Sequence, residues 1–184
     1  WMCNEATDTI IRILTPNNKW IGYYFEDIAR MHSFERIVFD RRGWVWLNSK
    51  HTLNYDSNTG SDSKAGVFVL NTNGTINTQN DDTYKFYHTL TNQDGVSYDM
   101  DIFYCMKEDV DGAMWLGTKS GVFVANNPEN IFSSDYRFTQ IKVARNDGTG
   151  LADYLLNGVP ATCIAVDGAN RKWIGSGGSG LYLI

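Results

Sequence analysis

The 184-residue sequence has little proline, little cysteine and no long apolar run. It contains 3 Pro and 3 Cys. No stretch approaches the roughly 18 uninterrupted apolar residues that a membrane span needs. No charged segment is followed by the apolar core of a signal peptide. We therefore expect no direct membrane insertion. Because the sequence stops at Ile184 inside an apolar, strand-like run, we expect an internal fragment of a longer protein.

Clusters of positive charge are also missing. The 16 Lys and Arg residues are outnumbered by 21 Asp and Glu, which gives a net charge of −5 at pH 7. A phosphate backbone or an anionic bilayer attracts proteins through grouped Lys and Arg side chains. We therefore expect no nucleic acid partner.

The three cysteines do not form a recognisable metal or disulfide pattern. Cys3, Cys105 and Cys163 include no CxxC pair, and no histidine stands at ligand spacing beside them. This argues against a zinc site and against a disulfide scaffold. We expect free thiols, with Cys105 and Cys163 buried at equivalent places.

What the sequence does have is apolar and aromatic content. Hydrophobic residues make up 42% and aromatic residues 14%, with 17 Gly. A chain of this composition and length is predicted to fold, as one domain with a sizeable core.

An internal repeat surrounds four tryptophans. The chain reads LTPNNKWIGYY, FDRRGWVWLNS, EDVDGAMWLGT and VDGANRKWIGS around them. A shift of 58 residues superimposes the last two copies, 69 residues relate the middle two, and 153 residues relate the first to the last. In this alignment the first copy has Leu14 in place of the repeated aspartate. The residues that recur are Trp20, Trp46, Trp115, Trp173, Asp40, Asp109, Asp167, Gly43, Gly112, Gly117 and Gly175.

Each copy predicts the same strand plan. A short apolar strand precedes a polar turn, the Trp strand follows, and a Gly/Ser turn leads to a third strand. Aspartate caps its own turn and glycine accepts positive φ there, while the small residue after Trp suits a close backbone approach. Antiparallel strands with one aromatic at a fixed place in each repeat are typical of β-propeller blades, in which we expect the Trp to be a buried wedge.

The predicted fold is therefore all-β: about three to four blades that form an incomplete arc of a larger propeller. We place an irregular leading blade at about 1–33, since its Trp lies only 26 residues before the next. Regular blades are expected at about 34–80 and 101–145, and a partial last blade at 160–184. Residues 50–65 and 72–101 are expected to be projecting loops.

The pattern D-x-x-G-x-x-W-[ILV]-G-[ST], followed by G-[VLI], resembles the two-component-regulator propeller repeat of the Bacteroidota. The stretch from CMKEDVDGAMWLGTKSGVFVANNPENIF to IAVDGANRKWIGSGGSGLYLI is most similar to PorZ-like propeller proteins of the type IX secretion system. This resemblance implies a non-enzymatic protein of the cell surface or periplasm, which handles secreted cargo and anionic lipopolysaccharide within an attachment complex.

Candidate chemistry is weak beside these structural roles. The glycines of GSGGSG at 175–180 lead into a strand rather than a helix, which favours a turn over a phosphate loop. Asp109 with Asp111 could bind Ca²⁺, but the second acid is absent from the other copies. The acid pairs Asp81 with Asp82 and Asp99 with Asp101 could act in glycoside cleavage, although acidic loops are common. The aromatic residues Tyr84, Phe86 and Tyr87 could stack on sugars, and core packing explains them better.

We therefore predict no catalytic, cofactor or metal site, and no enzyme. The leading hypothesis is a binding or assembly module whose partners are the other blades of its propeller, secretion-complex proteins or surface polysaccharide. The alternative is the ligand-sensing propeller of a hybrid two-component histidine kinase. A third possibility is a carbohydrate-active enzyme on a propeller scaffold. A C-terminal sorting sandwich would indicate the assembly module, and a kinase core would indicate the sensor. A carboxylate pair in a central funnel would indicate the enzyme.

Overall fold

The protein is built almost entirely of short antiparallel strands. The computed structural model describes residues 1–3, 9, 11–25, 34–49 and 65–184. Its strands within these residues are β1 (Met2–Cys3), β2 (Ile11–Leu14), β3 (Trp20–Tyr23), β4 (Phe34–Phe39), β5 (Val45–Ser49), β6 (Val67–Asn71), β7 (Thr83–Tyr87), β8 (Thr89–Thr91), β9 (Ser97–Asp99), β10 (Phe103–Glu108), β11 (Met114–Thr118), β12 (Gly121–Ala125), β13 (Lys142–Ala144), β14 (Ala152–Tyr154), β15 (Ala161–Val166), β16 (Lys172–Ser176) and β17 (Leu181–Leu183). A single 3₁₀ turn covers Pro128–Asn130 in this part of the chain. The predicted all-β class is confirmed.

Four small sheets carry the four copies of the repeat. Sheet A has the order β1-β2-β3, sheet B β4-β5-β6-β7, sheet C β10-β11-β12, and sheet D β15-β16-β17. Two hairpins, β8-β9 and β13-β14, lie between them in the sequence. In sheets B, C and D the Trp strand is flanked on both sides, as expected of propeller blades. In sheet A the Trp strand β3 is an edge.

The chain divides into two compact units. One contains Trp1–His88 with Asp101–Phe103, and the other contains Thr89–Met100 with Tyr104–Ile184. In the first unit, sheets A and B share an apolar core that includes Ile11, Tyr23, Leu47 and Phe68, all fully buried. Burial of side chains of this size is the main force that holds two such small sheets together.

The second unit has a core of its own between sheets C and D. Trp115 and Val124 of sheet C pack with Ala161 and Ile174 of sheet D, and Leu155 closes the cluster. The hairpin β13-β14 is joined to this core by the residues at its two ends, since Leu155 belongs to the cluster and Ile141 packs against it. The Leu155 backbone N–H donates to the Ile141 carbonyl at 2.7 Å and closes the hairpin.

Sheet B is longer than the sequence predicts. Strand β7 pairs with β6 along its whole length and completes a four-stranded sheet, so the blade ends at Tyr87 instead of residue 80. The prediction of a projecting loop over 72–101 is wrong there, and wrong again at the β8-β9 hairpin. The ring of Tyr84 packs on Phe25 and Phe68, which explains how a strand with polar neighbours is held. Residues 50–64, nearly all of the other predicted loop, lie outside the described residues.

Candidate functional site

The repeated aspartate organises the turn before each Trp strand. Its Oδ1 atom accepts hydrogen bonds from the backbone N–H groups two and four residues later. The six donors and distances are Arg42 (2.9 Å) and Trp44 (3.0 Å) to Asp40, Asp111 and Ala113 (both 3.0 Å) to Asp109, and Ala169 (2.9 Å) and Arg171 (3.1 Å) to Asp167. Side-chain capping of this kind satisfies turn N–H groups that have no strand partner.

The second oxygen of the same aspartate holds the tryptophan. The indole Nε1–H donates to Oδ2 six residues back, at 3.1 Å for Trp46, 2.9 Å for Trp115 and 3.0 Å for Trp173. A Trp ring can be buried when its N–H finds a partner, and Trp46 and Trp115 are 0% and 6% exposed. Trp173 is half-buried. Sequence reasoning identified the capping role and missed this bond, although the constant spacing of six residues was its signal.

The turns also require a residue with positive φ. Gly43 has φ of 81° and Gly112 of 90°, and the last copy uses Asn170 at 61° in the same place. Asparagine is the side chain that tolerates this region best, so the last copy keeps the turn without the glycine.

The first copy departs from the pattern by one residue. Its turn is closed by Thr15, whose backbone N–H bonds the Lys19 carbonyl and whose Oγ1 accepts the Lys19 N–H at 3.2 Å. Thr15 therefore stands where the aspartate stands in the other copies, and the alignment that placed Leu14 there is wrong. A shift of one residue moves every side chain of a strand to its opposite face. Ile21 consequently packs on the core, and Trp20 is 56% exposed. The expected burial of Trp20 is thus corrected.

A cation lies beside each aspartate. Arg42 Nη2 is 3.2 Å from Asp40 Oδ2, and Arg171 Nε is 2.7 Å from Asp167 Oδ2; both belong to the same turn as their partner. At Asp109 the cation comes from sheet D instead, because Lys172 Nζ lies 3.1 Å from Oδ2 and 5.0 Å from the Trp115 ring centroid.

The electrostatics of the aspartates follow from these contacts. Burial raises the pKa of Asp109, but hydrogen bonds from Trp115, Lys172 and the Ala113 N–H outweigh it and hold the pKa below its usual value. The bond from Trp173 lowers the pKa of Asp167, helped by Arg171. Both groups are therefore carboxylates at neutral pH, fitted to accept bonds rather than to donate protons.

The glycine after Trp leaves room for neighbours. A Cβ on Gly117 would lie 2.4 Å from Cys105 Sγ and 2.5 Å from the Ala161 carbonyl oxygen, and a Cβ on Gly175 would lie 2.5 Å from Cys163 Sγ. In sheet B this place is taken by Asn48, which is fully buried and whose Nδ2 donates to the Phe103 carbonyl at 3.1 Å. The predicted close approach is thus observed at Gly117.

All three cysteines are free thiols. Cys105 is buried, with Sγ 3.9 Å from the Ala161 carbonyl oxygen. Cys163 is exposed, so its predicted burial is wrong. It belongs to sheet D, and no described residue covers it as Ala161 covers Cys105.

Several of the residues considered for chemistry have structural partners. Asp111 accepts a 2.7 Å bond from Asn170 Nδ2, and Asp99 accepts from Thr89 Oγ1 across the β8-β9 pair. Ser176 closes the turn before β17 by donating to the Gly180 carbonyl at 2.8 Å. Among the described residues, no group of three or more His, Cys, Asp or Glu side chains could hold a metal ion.

An exposed polar cluster escaped the sequence analysis. Lys142 Nζ lies 2.9 and 2.8 Å from the two Asp94 oxygens, and the Tyr154 hydroxyl donates to Asp94 Oδ2 at 2.6 Å. These bonds, first that from Lys142, lower the pKa of Asp94. The cluster joins the β8-β9 turn to the β13-β14 hairpin. Residues 48 and 60 positions apart form it, so no local pattern could reveal it.

Comparison with solved structures identifies relatives of this arrangement. PorZ, an essential bacterial surface component of the type IX secretion system of Porphyromonas gingivalis, superimposes with a TM-score of 0.82 and 27% identity over 98% of this chain. The chain is similar to PorZ over almost its whole length. It spans 23% of the PorZ chain. The resemblance predicted from the repeat is therefore confirmed.

A second solved structure shares the fold. It is the extracellular domain of a hybrid two-component system from B. thetaiotaomicron, with a TM-score of 0.55 and 19% identity over 98% of this chain. No model of a protein family and no curated protein matches the sequence. No helix in the described residues is long and apolar enough to cross a membrane.

Proposed function

We propose that the protein is a non-catalytic binding or assembly module of a bacterial surface complex, of the kind that serves type IX secretion. The observation that carries the proposal is the similarity to PorZ over 98% of the chain, at 27% identity. Because the chain spans less than a quarter of PorZ, its own partners are proposed as a class: secretion-complex proteins or surface polysaccharide. The proposed location is the cell surface or the periplasm.

The repeated residues support a structural role for the blade framework. Asp40, Asp109 and Asp167 each use both oxygens within the turn and on the indole. A carboxylate that is already committed to bonds of this kind is a poor general base. We infer that these residues, with their tryptophans and glycines, hold the blades together, and that recognition belongs to exposed turns and hairpins such as β13-β14.

The test uses the full-length protein in its own cell. Deletion of the gene is expected to leave secreted cargo inside the envelope, and an epitope-tagged copy is expected to crosslink to secretion proteins or to retain surface polysaccharide. A variant with Lys142 and Tyr154 both changed to Ala, at the exposed polar cluster, tests whether that surface contributes. Arg137→Ala, at another exposed site, is the matched control.

Two results would overturn the proposal. Normal secretion in the deletion strain, with loss of a transcriptional response to an extracellular ligand, would indicate a sensor. Turnover of a glycoside, ester or phosphate substrate by the purified protein, abolished by a single Asp or His substitution, would indicate an enzyme.

A further inference from the structure

Asp82 holds a carboxyl group in an unusual environment. It ends the connection between β6 and β7, residues 72–82, which is here named the strap. Both of its carboxylate oxygens are buried, and neither has a hydrogen-bond partner among the described residues. Its neighbour Asp81 differs, because the Thr75 hydroxyl lies 3.1 and 3.0 Å from the two Asp81 oxygens. Burial of an ionised group without a partner is costly, and such a group favours its neutral form.

The strap fastens sheet A to sheet B. Gln79 Nε2 donates to the Gly22 carbonyl of β3 at 3.0 Å, and the Tyr23 hydroxyl makes a long contact of 3.5 Å with the Thr75 carbonyl. Ile76 of the strap packs against the shared core of the two sheets. The strap therefore links the edge strand β3 to sheet B.

Burial and the neighbouring charge of Asp81 both disfavour ionisation of Asp82. Burial, followed by the charge of Asp81, raises the pKa of Asp82 to about 6. Tyr23 of β3 lies close to these acids, and its burial and the charges of Asp82 and Asp81 raise the pKa of Tyr23 to about 12. Tyr23 therefore remains a neutral hydrogen-bond donor, and Asp82 is the group whose charge changes.

We propose that the protonated Asp82 carboxyl keeps the strap closed on sheet A, and that ionisation of this carboxyl weakens its hold. A carboxyl whose folded pKa lies above its unfolded value binds its proton more tightly in the closed state. Its stabilising effect is complete below about pH 4 and is lost as the pH rises to about 6. The protein thus contains a strap that loosens toward neutral pH.

Hydrogen exchange of the full chain tests the proposal. After correction for intrinsic exchange rates, protection of the strap amides is expected to fall by up to about tenfold per pH unit between about 4 and 6, and to level off above 6. Asp82→Asn, a permanently uncharged isostere, is expected to keep the protection high throughout. The matched variant Asp81→Asn, one residue away, is expected to retain a pH-dependent loss.

Wild-type protein alone also decides the question. Carboxyl ¹³C shifts should show Asp82 titrating well above an ordinary aspartate. An ordinary titration, or strap protection that does not change with pH, would overturn the proposal. Protection restored at pH 7 by added Ca²⁺, and abolished in Asp82→Asn, would also overturn it, since a cation would then be the missing partner.

Discussion

The indole Nε1 of Trp115 donates to Oδ2 of Asp109 at 2.9 Å, across six residues of sequence. The other Asp109 oxygen receives the N–H groups of Asp111 and Ala113. One side chain therefore fixes both the turn and the ring, which explains why Asp and Trp recur together in three copies.

Replacing Trp115 should be severe. Trp115→Ala removes a ring that is 6% exposed and leaves the Asp109 oxygen without its indole donor, so we expect a loss of about 3 to 5 kcal/mol in the free energy of unfolding. Trp20→Ala is the matched control, since that ring is 56% exposed, and its cost should stay within about 1 kcal/mol. Denaturant unfolding measures both. Equal costs would contradict the one-residue shift of the first copy.

Acid should weaken the turns. The pKa of Asp109 is lowered in the folded protein, so its stabilising effect is present above the unfolded value of about 3.9 and is lost as the pH falls further. Asp109→Asn is expected to be less stable at pH 7 and to have a smaller slope of unfolding free energy against pH between 2 and 4. An unchanged slope would show that Asp109 is not the group responsible.

Lys172 should couple sheets C and D. Its side chain is 12% exposed and contacts both Asp109 and the Trp115 ring, so Lys172→Met should cost about 1.5 to 3 kcal/mol. Arg171→Met, which removes a side chain that is 56% exposed, should cost less than about 1 kcal/mol. A double-mutant cycle with Asp109→Asn should give a coupling energy for Lys172 and none for Arg171.

The glycines after Trp should differ in how they can be rescued. Gly117→Ala places a methyl group against Cys105 Sγ and the Ala161 carbonyl, and we expect a cost of about 1 to 3 kcal/mol. Cys105→Ala should not restore stability, because the carbonyl remains. Gly175→Ala meets Cys163 Sγ most closely, so Cys163→Ala should rescue it. The control Gly168→Ala meets nothing within 4 Å.

Thiol reactivity should follow exposure. Denatured, unreduced protein is expected to give three free thiols, and native protein should expose Cys163 to alkylation before Cys105. Peptide mapping after brief alkylation identifies the modified residue. A count of one free thiol instead of three in the denatured, unreduced protein would reveal a disulfide and contradict the structure.

The strands and the turn could be predicted because their causes are local. An apolar residue directly follows each repeated Trp, and the aspartate reaches N–H groups only two and four residues away. The register of the first copy was not predicted, because the match of Trp20, Ile21 and Gly22 with the last copy places Leu14 on the aspartate. Only the turn geometry selects Thr15. Core packing of Tyr84 was expected, but the pairing of β7 with β6 was missed, since the support of this strand comes from Phe25 and Phe68, which are distant in sequence.

In the candidate site, too, the local contacts could be predicted and the contacts between distant residues could not. The spacing of Asp and Trp predicts a repeated unit, whereas the contacts of Lys172 with Asp109 and of Lys142 with Asp94 join residues 63 and 48 positions apart. Nothing in the composition of the strap indicates that Asp82 is buried while Asp81 is hydrogen-bonded.

Asn48 has a consequence for anyone who designs proteins from this repeat. An averaged blade would carry glycine two residues after Trp, because two of the three copies with a capping aspartate do. In sheet B that choice would delete the Nδ2 donor to Phe103 and open a void where an amide fits. Copies of one averaged blade therefore cannot replace every natural blade. A designed array should keep the hydrogen bond between Asn48 and the Phe103 carbonyl, and should choose the sequences of adjacent copies together.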